Sequence, residues 1–94
     1  MPFRVDIEPT ALDEILNHPI EVQKVIHDHL NRLRESPSAV SRPSSTPPEP
    51  AGYMRYGFDF LHESGLLAFG VYFKYRPDEE TIVVCIVHAS RVSP

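Results

Sequence analysis

Two polar residues near the C-terminus, His88 and Arg91, follow directly on a long apolar segment, and their side chains can do chemistry. Imidazole titrates near neutral pH, so a histidine can act as a general acid or base. The guanidinium of arginine binds phosphate through paired hydrogen bonds. Since polar side chains that close a sheet are natural places for chemistry, this pair is a first candidate for proton transfer beside an anionic group.

Further candidates lie on two earlier segments in which apolar and polar residues alternate. Such a period of two is typical of strands with one buried face. In the first segment, Tyr53 and Arg55 share the lighter, more polar face. In the second segment, Tyr72 and Lys74 share it. If the two strands pair, Tyr72 and Lys74 lie on the same side of the sheet as Arg55 and can assist in binding an anionic group.

The histidine spacing argues against a metal site. His27 and His29 are two residues apart on a predicted helix, so at about 100° per residue they point to different faces. Neither repeats the four-residue spacing of helical zinc motifs. His18 and His62 are predicted to lie in turns with no evident partner. The sequence therefore predicts no metal and no other cofactor.

Composition and charge are typical of one small folded domain that spans residues 1–94. The chain is 41% hydrophobic and 23% charged, as in ordinary folded proteins. Its net charge of −4 argues against a protein that coats nucleic acid, although a local basic site is compatible with that charge.

Cys85, the only cysteine, lies in an apolar run and is predicted to be a small buried hydrophobe. Neither a membrane-spanning run nor a signal peptide pattern occurs, so we expect a cytoplasmic protein with no membrane partner.

The predicted elements form an α+β fold in the order strand, helix, helix and three-stranded antiparallel meander. The second helix, residues 21–35, has apolar residues at three- and four-residue spacing, namely Val22, Val25, Ile26, Leu30 and Leu33. The meander strands are predicted at residues 52–61, 66–75 and 81–88. We expect the N-terminal strand to join a mainly antiparallel sheet. The helical hairpin then covers one face of this sheet and leaves the other partly open.

Residues 36–51 differ from the rest of the chain because they contain five prolines and five serines. This composition predicts an extended surface loop. Its role stays open between a plain connection, a lid and a docking arm.

Several short segments of the chain occur in an order and spacing that together indicate a protein family. They are Val5-Asp6-Ile7 and Ala11-Leu12, the helix end Leu30-Asn31-Arg32-Leu33-Arg34-Glu35-Ser36-Pro37, the strand start Tyr53-Met54-Arg55, and Val71-Tyr72-Phe73 before Ile82-Val83-Val84-Cys85-Ile86-Val87-His88. Over nearly its whole length the chain resembles the RelE/ParE family of bacterial toxin–antitoxin toxins. The resemblance implies an antitoxin partner encoded beside the toxin. It also implies one of two activities: metal-independent cleavage of messenger RNA in the ribosomal A site, or inhibition of DNA gyrase.

The resemblance carries over to particular residues. Arg55 matches the basic position of the first meander strand, His88 matches the residue that closes the last strand, and Arg91 falls in the basic C-terminal cluster. RNA cleavage by the 2′-hydroxyl route needs a proton acceptor and cations that stabilise the charged phosphorane. The resemblance thus implies catalytic roles for His88, Arg55 and Arg91. Lys74, Tyr72 and Tyr53 are candidates for binding the substrate.

Three functional hypotheses remain open at this stage. The leading one is a ribosome-dependent messenger RNA endonuclease with the ribosome, its message and an antitoxin as partners. The second is a non-catalytic binding protein of the same fold, and the third is a gyrase inhibitor. The sequence leaves the oligomeric state open.

Overall fold

The computed structural model describes residues 2–44, 52–63 and 65–92. Its helices and strands follow the predicted order with two short additions, α3 and β2. They are β1 (Arg4–Ile7), α1 (Pro9–Leu16), α2 (Ile20–Glu35), α3 (Pro37–Val40), β2 (Arg42–Ser44), β3 (Tyr53–His62), β4 (Gly65–Arg76) and β5 (Thr81–Val92), with a 3₁₀ turn at Pro77–Glu79. In the described part of the chain, no helix combines the length and the apolar character needed to cross a bilayer.

The strands form one mixed sheet in the order β1-β5-β4-β3-β2. Only β1 and β5 are parallel, and all other neighbours are antiparallel. The predicted α+β fold with a C-terminal meander is therefore confirmed. β5 is apolar on both faces over its first half because it lies inside the sheet, between β1 and β4.

The hydrophobic core lies between the sheet and the helical hairpin. Alternate residues of β3 and β4 face the helices, as the period of two predicts. The fully buried side chains, each at most 2% exposed, include Val22, Ile26 and Leu33 of α2 and Phe69, Val71, Phe73, Ile82, Val84 and Val87 of the sheet. The helical hairpin leaves the opposite face of the sheet uncovered, and we call it the open face.

α2 also contacts the sheet through a polar pair at the core boundary. The hydroxyl of Tyr56 and Nδ1 of His29 are 2.7 Å apart and share a hydrogen bond. The ring of His29 stacks on Phe58 with a centroid distance of 3.8 Å. Burial, assisted by the charge of Arg32, lowers the pKa of His29 below its ordinary value of 6.5. Folding therefore favours the neutral imidazole at this position.

This preference predicts that the free energy of unfolding decreases as the pH falls from about 7.5 to about 5.5. The unfolded chain binds a proton at His29 with a pKa near 6.5, where folded His29 remains neutral. The stabilisation that neutral His29 provides is complete above its pKa in the unfolded chain. It is lost as the pH falls through its pKa in the folded protein. Urea unfolding at both pH values should show that the free energy of unfolding decreases less in His29→Phe than in the wild type. His27→Phe, which changes an exposed histidine, should behave like the wild type. Equal decreases in all three proteins would refute this assignment.

The segment at residues 36–51 is more ordered at its start than the sequence predicts. Pro37 begins the short helix α3. Arg42 and Pro43 belong to β2 and pair with Arg55 and Met54 of β3. Both elements are too short to show a hydrophobic period, so the pattern of the sequence does not reveal them. The remainder of the predicted loop, residues 45–51, lies outside the described residues.

The last strand extends beyond its predicted end at His88. It continues to Val92 because β4 is equally long and supplies partners throughout, with Ala68 opposite Ser90 and Leu66 opposite Val92. His88 therefore lies within a strand, and the residues after it continue to alternate between the two faces of the sheet.

Candidate anion-binding site on the open sheet face

The pairing of the strands brings three of the predicted residues together on the open face. Tyr72 lies directly opposite Arg55 on β3 and forms one cross-strand row with it. His88 lies opposite Gly70, which in turn lies opposite Gly57, so these residues form the adjacent row. Side chains directly opposite each other on antiparallel strands share a face, with Cβ atoms about 5 Å apart. Arg55, Tyr72 and His88 are therefore neighbours.

Two glycines allow Arg55 to lie close to the sheet. A Cβ atom at Gly57 would clash with Nη1 of Arg55, and one at Gly70 would lie 3.3 Å from Nε of the same side chain. The ring of Tyr72 also lies over Gly70, with Cε2 at 3.3 Å from that position. We call Gly57 and Gly70 the glycine floor. Any larger residue there would displace the guanidinium of Arg55 from the row that contains His88.

A polar pocket of about 340 Å³ opens beside Arg55. Its lining includes Arg42, which the pairing of β2 with β3 places directly opposite Arg55, and Asp59 on β3. Two guanidinium groups on one side of a small pocket suit an anion such as a phosphate. The sequence does not indicate Arg42, because the composition of residues 36–51 predicts a loop and only the long-range pairing of β2 reveals its position.

Lys74 and Tyr53 lie on the open face, as predicted. Lys74 is exposed and two residues beyond Tyr72, and Tyr53 is half-buried and two residues before Arg55. The row of Arg55 and Tyr72 therefore separates His88 on one side from Lys74 on the other. Because the guanidinium of Arg55 lies over Gly57 and Gly70, an anionic group bound to it would share the row of His88, with Lys74 two rows farther along the sheet.

The structure does not bring Arg91 into this group. Arg91 pairs with Leu67, whose side chain packs on the core side of the sheet. Its Nη1 atom lies 3.5 Å from the position of a Cβ at Gly65, on the same side. Because β5 continues through this region, the three-residue separation from His88 places Arg91 on the opposite face. The predicted grouping of Arg91 with His88 is wrong because the strand does not end at His88.

Cys85 is buried, as predicted, at an irregularity where β5 has one residue more than β4. Burial raises the pKa of its thiol to about 11, with a further contribution from Glu8. The thiolate form that acts as a nucleophile is therefore disfavoured. Cys85 is a packing residue.

Comparison with known proteins relates this chain to solved structures. No protein-family model and no curated sequence matches it. A chain of the RelBE2 toxin–antitoxin complex from Mycobacterium tuberculosis superposes with a TM-score of 0.74 at 15% identity, covering 96% of this chain and 93% of that one. A chain of the Escherichia coli RelBE toxin–antitoxin complex superposes with a TM-score of 0.59 at 20% identity, covering 90% and 93%. The protein therefore shares the fold of a chain in each of these two complexes, and the predicted RelE-like fold is confirmed.

Proposed function

We propose that the protein is the toxin of a toxin–antitoxin system and that it cleaves messenger RNA on the ribosome. The observation that carries this proposal is the position of the Arg55 guanidinium on the glycine floor, in the row that contains His88. The RelE-like fold supports it, because a similar fold occurs in chains of two toxin–antitoxin complexes. An enzyme of this kind acts in the cytoplasm, where ribosomes translate the message.

The open face offers the groups that cleavage through the 2′-hydroxyl requires. With the scissile phosphate over Arg55, His88 removes the proton from the 2′-hydroxyl as its oxygen attacks phosphorus. Arg55 and Arg42 stabilise the negative charge of the phosphorane. The bond from phosphorus to the 5′-oxygen then breaks, and water on the exposed open face supplies a proton to the leaving oxygen, while Lys74 binds a neighbouring part of the RNA backbone. The products are a 2′,3′-cyclic phosphate and a 5′-hydroxyl.

Purified protein added to ribosomes stalled on a defined message tests this proposal. We expect cuts within the codon in the A site, mapped by primer extension, with 2′,3′-cyclic phosphate at the new 3′ ends. The same message without ribosomes should remain intact, because the ribosome positions the substrate. Uncut message on the ribosome at equimolar protein would refute the proposal.

An apolar groove on the helical side suits the antitoxin partner that such a toxin needs. It has a volume of about 360 Å³ and lies between α1 and α2. Leu12, Leu16 and Ile20 along it are 42%, 56% and 67% exposed. Contiguous exposed apolar side chains are typical of protein-binding surfaces. We propose that an amphipathic segment of an antitoxin packs there.

Co-expression of the protein with the product of an adjacent small gene tests this proposal. The two proteins should elute as one stable complex in gel filtration, and separate elution would contradict the proposal.

A non-catalytic binding protein is the second candidate. The position of Arg91 favours it, because the open face then has one cation fewer than the sequence predicts. Such a protein would bind the antitoxin but leave the ribosome-bound message intact. The cleavage and co-expression experiments together therefore separate the two candidates.

A further inference from the structure

A second group of polar side chains lies where the turn after β3 meets the start of α2. His62 is the last residue of β3, Glu63 follows it in the turn, and Glu21 lies in the first turn of α2. Nε2 of His62 is 3.1 Å from Oε1 of Glu21. The prediction that His62 has no partner is therefore wrong. Its partner is 41 positions earlier in the chain and comes close only through the packing of α2 on the sheet.

The three side chains are of types that bind metal ions, and they lie close together. One ligand atom from each of Glu21, His62 and Glu63 lies within 4.8 Å of the other two. Zinc binds histidine nitrogen and carboxylate oxygen at about 2.0–2.2 Å, so neighbouring ligand atoms around a tetrahedral ion are about 3.4 Å apart. The contact between His62 and Glu21 is already close to this separation. Rotation of the exposed Glu63 side chain would complete the set.

The surroundings of His62 hold one of the ligands in place. The side chain of His62 is only 19% exposed, so the surrounding protein limits its movement. A half-buried imidazole between two carboxylates is a partly assembled ligand set.

We propose that Glu21, His62 and Glu63 bind one divalent transition metal ion of the zinc type, with water completing its coordination. Two carboxylates and an imidazole suit zinc, cobalt or nickel better than magnesium, which prefers an octahedral shell of oxygens. The ion would join the turn after β3 to the first turn of α2. His62 is on the helical side of the sheet, in line with Phe60, so this site is separate from Arg55 and His88. Its role is to stabilise the fold.

Calorimetric titration of the untagged full-length protein with zinc chloride tests the site. We expect one equivalent of zinc to bind. His62→Ala and Glu63→Gln should each weaken binding by about tenfold or more, because even residues that only support metal ligands contribute that much. Glu80→Gln is the matched control, since exposed Glu80 shares with Glu63 a backbone φ of 49°. His27→Ala is the control for an exposed imidazole elsewhere on α2.

Thermal unfolding with and without zinc gives a second measurement. An ion that binds only the folded chain raises Tm of the wild type, Glu80→Gln and His27→Ala proteins, and has little effect on Glu63→Gln. Glu63→Gln also serves if His62→Ala fails to fold after losing its contact with Glu21. Absence of saturable zinc binding to the wild type would overturn the proposal. Unchanged binding in Glu63→Gln and in a folded His62 variant would do the same.

Discussion

Replacing Gly57 with alanine is expected to reduce the rate of message cleavage by about 10²-fold, because a displacement of 1 Å at a reacting centre can cost that much. The new methyl group would occupy space that Nη1 of Arg55 fills. Since the displaced atom is the end of a flexible side chain, the guanidinium can move aside without disturbing the sheet. The free energy of unfolding should therefore stay near that of the wild type. Parallel cleavage and urea unfolding measurements check both expectations.

Gly65→Ala is the matched control for this substitution. Gly65 is also a strand glycine, and a Cβ there would make only ordinary contact with Arg91, at 3.5 Å from Nη1. We expect this variant to retain the cleavage rate. A folded Gly57→Ala protein with full activity would show that the position of Arg55 does not matter. Equal losses of activity in Gly57→Ala and Gly65→Ala would also show that the position of Arg55 does not matter.

Replacing His88 with alanine is expected to lower the cleavage rate by about 10²–10⁴-fold, the usual contribution of a general acid or base. His88 is exposed on the open face, so its removal should change the free energy of unfolding by less than about 0.5 kcal/mol. Single-turnover cleavage with excess protein over ribosomes isolates the chemical step from binding. His27→Ala removes an exposed imidazole from α2 and should retain the wild-type rate.

Added imidazole distinguishes a chemical role of His88 from a structural one. The position is open to solvent, so free imidazole can enter the space left by the side chain and accept the proton. We expect partial recovery of the rate in His88→Ala and no effect on the wild type. If His88→Ala cleaves as fast as the wild type, the proposed proton acceptor is wrong.

The sequence predicted the elements whose patterns are local. α2 shows three- and four-residue spacing because only one stripe of it packs on the sheet, with Val22, Ile26 and Leu33 fully buried. β3 and β4 alternate because one face of each lies against the helices. That alternation also placed Arg55, Tyr72 and Lys74 correctly on a common face of the sheet, because the side to which a strand residue points follows from its position along the strand.

The remaining features depend on contacts between distant parts of the chain. Arg42 joins the site through a three-residue strand, too short for any period to appear. The face of Arg91 follows from the length of β4, which extends β5 to Val92. The contact between Glu21 and His62 needs the packing of α2 on the sheet. The glycine floor is equally non-local, because Gly57 and Gly70 lie side by side only once β3 and β4 are paired.

The most direct test of the central claim compares two arginines on opposite faces of the sheet. The proposal assigns cleavage to the open face, where Arg55 lies, and Arg91 is on the helical side. In the ribosome assay, Arg55→Ala should cleave about 10²–10³-fold more slowly than the wild type, as expected for a lost stabiliser of transition-state charge. Arg91→Ala should retain the wild-type rate. Equal losses in the two folded variants, or a wild-type protein that makes no cut, would contradict the account.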